Sequence, residues 1–194
     1  MSLYTLALFA HILGVLGVFV GISLDWATIL RLRRARTVAL VREVTSLVGF
    51  QARLIQISSL LLLIAGIYMT VTTWGRGTPW ILVSLAALIV IGALSGGVNG
   101  RRLRAIQKAA AGESSDATIP PALQRQMADP ILLTSVQTAG AVGLGAVFLM
   151  TTKPAWPGSL ITLAVAVVLG VVSAQPWRRP REARALVQEA QAGS

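Results

Sequence analysis

The sequence predicts an all-α polytopic bundle of five transmembrane helices, and three observations carry that prediction. The chain is 55% hydrophobic with a mean hydropathy of +0.73. Only 12% of its residues are charged, about half the share of an ordinary globular domain, and this places it among membrane proteins. Five apolar stretches recur, each about as long as the roughly 20 residues a helix needs to cross a bilayer, at about 4–27, 48–73, 79–99, 130–151 and 157–175. Residues 1–177 are therefore expected to form one transmembrane bundle, followed by a cytoplasmic tail over 178–194.

The net charge of +10 would suggest nucleic acid in a soluble protein. Here the arginines sit beside hydrophobic ends, so the expected partners are the lipid bilayer and anionic headgroups, with no nucleic acid. There is no cysteine, which excludes disulfides and thiolate metal sites. P-loops, G-x-S-x-G, HExxH and paired intramembrane carboxylates are also missing. Any catalysis would have to be redox chemistry on a cofactor.

The first span contains AHILGVLGVFVGISLDW and the only histidine. At about 100° per residue, His11, Gly14, Val18, Gly21 and Asp25 share one sector, bordered by Gly17. This small, polar face is expected to pack against other helices, while Leu, Ile, Val and Phe face lipid. A secretory signal would need a basic start. Met1 to Thr5 is uncharged and the run ends in RLRRAR, so the segment reads as a retained anchor.

Short Gly/Pro junctions, 73–79 and 152–157, join spans two to three and four to five. Each pair is expected to form a helical hairpin. Val83-Ser84-Leu85-Ala86 matches Ile161-Thr162-Leu163-Ala164 at a constant offset of 78, which suggests two parallel copies of one hairpin. Arg31, Arg33, Arg34, Arg36 and Arg42 follow span one, and Arg101, Arg102, Arg104, Lys108 and Arg125 follow span three. Arg178, Arg179, Arg181 and Arg184 lie in the tail, and only Arg76 and Lys153 occupy the opposite side. The positive-inside rule then puts the N-terminus outside and the C-terminus in the cytoplasm. Trp26 and Trp177 fall at one interface and Trp74, Trp80 and Trp156 at the other.

Residues 38–47 form an amphipathic piece expected to lie on the membrane surface or to lengthen span two. Gln107 to Ala128 should be a helix extension followed by a flexible loop through Pro120-Pro121.

Polar groups inside spans cost free energy and call for a partner or a purpose. His11 suits either an interhelical hydrogen bond or ligation of haem iron, and Met69, at similar depth, offers a second ligand. A homodimer could supply a second His11 instead. Haem b is the cofactor such a pair would suit; no other metal is expected. Asp25 and Arg53 are expected to pair across helices one and two. Gln56, Ser59, Gly66 and Thr70 share a face of the second helix, Gly92, Ser95, Gly96 and Asn99 one of the third, and Gln137, Gly140 and Thr151 a weaker one of the fourth. Helix packing accounts for these stripes, and a polar path lined by Gln56, Asn99 and Gln137 is the alternative.

The opening LALFAHILGVLGVFVGISLDWATILRLRRAR resembles the start of predicted bacterial integral membrane proteins classed as domain of unknown function 2269: an early His, a glycine face, an acidic residue with Trp, then arginines. It distantly resembles copper-resistance D-type proteins and bacterial membrane protoporphyrinogen oxidase. The latter likeness implies a haem-associated histidine at His11. The additional histidines and methionine-rich motifs of copper handling are missing. The functional expectation is a non-catalytic membrane bundle or accessory subunit, working with a homodimeric or other membrane partner. A haem- or quinone-linked redox protein and a small transporter are the alternatives.

Overall fold

The computed structural model describes residues 2–74, 77–114 and 118–175. Trp177, Arg76 and the tail arginines lie outside the described residues. Eight α-helices follow in order: α1 (Leu3–Arg34), α2 (Val38–Thr45), α3 (Val48–Met69), α4 (Pro79–Gly92), α5 (Gly100–Ala111), α6 (Pro121–Met127), α7 (Pro130–Thr152) and α8 (Trp156–Ser173). π-Helical turns at Thr70–Trp74 and Ala93–Asn99 continue α3 and α4. Five helical runs are long and apolar enough to cross a membrane: Leu3–Arg34, Val38–Trp74, Pro79–Ala111, Pro121–Thr152 and Trp156–Ser173.

The glycine face of α1 is a packing seam. A Cβ at Gly14 would stand 2.8 Å from Leu62 Cβ and 2.9 Å from Ser58 O, and Cβ atoms at Gly17 and Gly21 would collide with Ser58 and Ile55. With glycine there, α1 and α3 close to within side-chain distance along their lengths, as small residues permit in membrane helices. The α1 residues that this buries, Gly14, Val18, Gly21, Ile22 and Asp25, recur at helical spacing.

On α3 the packed face is Gln51, Ile55, Ser58 and Ala65, which are buried. The expected stripe through Gln56 and Ser59 is rotated from it by one residue, about 100°, and Gln56 is exposed. Both flanks of this helix are apolar, so polarity alone does not select the face that meets α1.

Spans four and five form a hairpin, with α8 packed along α7, where Gly170 lies against Thr138 and Gly145 against Ala166. Spans two and three do not. Within the membrane α3 runs along α1 and α4 along α7, and α3 and α4 make little contact with each other. The seam on α1 captures α3, and α4 finds its partner on α7. The paired hairpins suggested by the 78-residue offset thus do not share one packing.

The arginine-rich end is closed by a second layer. There α2 lengthens the second span and packs on α5, while α6 covers α5 and meets α1. Pro121 starts α6 at its first turn, where its missing N–H costs nothing; a helix therefore stands where a loop was expected. Ile29, Leu32, Val38, Val41, Leu103, Ile106, Ala110 and Leu132 are at most 1% exposed. The Arg42 guanidinium donates to Ala110 O at 2.8 Å, Ala111 O at 3.2 Å and Glu113 O, so a cation caps the carbonyl end of α5. Asp129 caps α7 by accepting from Ile131 N at 2.9 Å and pairs with Arg102.

Candidate functional site

At the opposite end α3 and α4 stand apart, and the gap is a cleft of about 400 Å³, within the range of small-ligand sites. It is bordered by α1, α3 and its π-turn, α4 and the end of α7, and its walls are mostly Leu, Ile, Val and Trp. A smaller cavity of about 40 Å³ shares Leu62, Ser84, Leu88 and Met150 with it and reaches Val15, Phe19 and Gly143.

His11 and Met69 both border this cleft. The imidazole lies against Gly66, whose Cβ position would be 3.4 Å from His11 Cε1 and Nδ1. His11 Nδ1 stands 3.2 Å from Leu62 O. A carbonyl can only accept, so the neutral ring carries its proton on Nδ1 and presents Nε2 as an acceptor or ligand. The expected interhelical hydrogen bond is therefore present, made to a backbone carbonyl rather than to a Ser, Thr or Gln side chain.

Ser84 is the polar residue that sequence reasoning passed over. It is 8% exposed, borders both cavities, and its hydroxyl has no partner among the described residues. Several serines in these helices bond back to their own carbonyls, as Ser23 does to Phe19 O at 2.8 Å. Ser84 does not, so the apolar cleft holds two unsatisfied polar atoms, the imidazole Nε2 and this Oγ. The position was visible in the sequence only as one term of the 78-residue match.

The tryptophans gather at the cleft mouth. Trp74 and Trp80 meet edge to face with centroids 5.4 Å apart, and Lys153 Nζ lies 4.2 Å from the Trp74 ring centroid, a cation–π contact.

The remaining candidates do not converge here. Asp25 is 5% exposed on the α1 seam, whereas Arg53 is exposed, and they form no ion pair. The pairing fails because Arg53 is on the outer flank of α3. Gln51, two residues earlier and about 200° around the helix, takes the inner place instead. Its amide donates to Thr28 Oγ1 at 2.7 Å and Leu24 O at 3.4 Å. Asn99 is buried in the other half of the bundle and accepts from Ser135 Oγ. Gln56 is exposed and Gln137 half-buried, so Gln56, Asn99 and Gln137 do not share one interior face. Among the described residues no group of three His, Cys, Asp or Glu side chains could hold a metal ion.

No curated protein and no solved structure matches the chain, and the distant likeness to copper-resistance and haem-oxidase families finds no support there. A family model described as "Predicted integral membrane protein (DUF2269)" matches residues 5–154. That stretch takes in α1 through α7 and with them every residue named at the cleft. The chain therefore belongs to the DUF2269 family of predicted integral membrane proteins.

Proposed function

We propose that this membrane protein is a binding protein for a lipophilic small molecule, held in the cleft with His11 as its principal polar contact. The reading rests on one observation: an apolar cleft of about 400 Å³ contains a histidine whose free nitrogen faces no protein partner. Apolar walls with a few placed polar groups are the usual make-up of ligand sites. Ser84 Oγ supplies a second contact for a hydroxyl or carbonyl group. The protein then acts as an accessory subunit that holds or presents this ligand in a bacterial inner membrane. By the positive-inside rule its arginine-rich end faces the cytoplasm and anionic headgroups there.

A redox version of this reading has its own support. The Leu62 carbonyl fixes His11 with Nε2 outward, and Met69 borders the same cleft; these residues would hold haem b through a His/Met pair. Haem would supply one-electron transfer, and the chain's part is to orient the imidazole and exclude water.

The test is purification in mild detergent, followed by visible spectroscopy and mass spectrometry of extracted small molecules. We expect a lipophilic compound that is retained by wild type and lost from His11→Ala. A Soret band lost in the same variant selects haem; a colourless but ligand-loaded protein selects the general reading. Equal retention by both proteins, or no copurifying molecule after incubation with native lipids, overturns the proposal.

A further inference from the structure

The geometry points to an anionic head on the cleft's ligand: the occupant is an amphiphile whose carboxylate or phosphate meets Lys153 while its apolar body lies between α3 and α4. This deepens the proposed ligand site and rests on it.

Among the described residues that line the cleft, Lys153 carries the one fixed charge. Among the described residues its ammonium has no acidic partner in reach. The carboxylates among the described residues are Asp25, Glu43, Glu113 and Asp129. Asp25 lies four turns along α1 from the cleft's His11 by helical rise, about 20 Å, and the others belong to the connections and helices of the arginine-rich end. A positive charge without a counter-ion at the mouth of an apolar pocket is complementary to an acidic amphiphile.

The backbone holds that charge in place. Lys153 ends α7 with φ 49° and ψ 51°, and it is the only non-glycine residue with positive φ among those described. Glycine or asparagine usually fills such a left-handed C-cap, and other residues there carry strain. The conformation turns the Lys153 side chain back over Trp74. Trp74 also borders the cleft and is braced edge-on by Trp80. Desolvated on one side by the indole, the ammonium is positioned for a charge-assisted hydrogen bond to an oxyanion.

Two sources share this chemistry, a free fatty acid or acidic lipid of the bilayer and a carboxylated ring such as a porphyrin, and the experiment separates them. The probes are 9,10-dibromostearate, its uncharged methyl ester, and protoporphyrin IX. Each is titrated into delipidated protein in neutral detergent, with quenching of tryptophan fluorescence as the readout. We expect the carboxylate to bind at least about tenfold more tightly than its ester, the size of one charge-assisted hydrogen bond. Lys153→Gly suits the left-handed backbone and removes the charge, so it should bring the carboxylate-to-ester affinity ratio close to one; Lys153→Arg should retain the preference. Tighter binding of protoporphyrin than of dibromostearate, with the same dependence on Lys153, assigns the head to a ring carboxylate.

Equal affinity for carboxylate and ester, or a preference that survives in Lys153→Gly, overturns the anionic head while leaving the lipophilic cleft standing. Failure of every probe to bind wild type overturns both. Circular dichroism of each variant confirms that the helices are intact.

Discussion

The two ends of this molecule solve the same problem in opposite ways. At the arginine-rich end three short helices close over the bundle, and Leu103, Ile106 and Leu132 are at most 1% exposed. At the His11 end two neighbouring spans stand apart, and Leu8, Leu82 and Leu85 on the cleft walls remain about 40% exposed. Arg42, Arg102 and Asp129 satisfy helix ends and each other at the closed end, whereas His11 and Ser84 border the cleft, and Ser84 Oγ is buried without a partner among the described residues. A chain that packs one end to completion and leaves the other open, with a histidine and a serine bordering the opening, has divided itself into a scaffold and a site.

The sharpest way to break this comparison is to truncate matching side chains at the two ends. Leu103→Ala should cost about 2–5 kcal/mol, as large-to-small changes in packed cores do. Leu85→Ala should cost about 0.5 kcal/mol, because its environment is already open. Denaturant titration in detergent measures both, and equal losses would mean that the cleft wall is as tightly packed as the core. A smaller effect sharpens the same contrast. Asp129→Ala should destabilise by about 1 kcal/mol through loss of the α7 cap, with little added by the partly exposed Arg102 pair, and should leave ligand retention unchanged.

Part of this division was legible in the residues. The α1 seam follows directly from Gly14, Val18, Gly21 and Asp25 at helical spacing, because only small residues allow the contact seen with Ser58 and Leu62. The face of α3 was not legible. Ser58 and Ser59 are adjacent and both flanks are apolar, so the register depends on which serine meets Gly17, a fact of the partner helix. The same reason misplaced Gln56 as an interior residue and hid Gln51. The expected hairpin of spans two and three came from their short junction, a sound guide where neighbouring helices have no better partner. Here each has one, and the cleft is the result. His11 was legible as a candidate because a histidine in a span demands a reason. Ser84 was not, since a serine in a membrane helix ordinarily satisfies itself.

The absence of cysteine makes the central claim directly measurable. Ser84 and Ser95 are both buried serines whose hydroxyls lack a partner among the described residues, and they differ in setting. Ser84 borders the cleft, while Ser95 lies on the π-helical stretch packed against α7. Ser84→Cys and Ser95→Cys would each introduce a single near-isosteric thiol, to be treated with N-ethylmaleimide in purified protein stripped of lipid. The account predicts faster labelling at position 84 than at position 95, and slowing at position 84 by a bound cleft ligand. Equal rates at the two positions, or faster labelling at position 95, would contradict it.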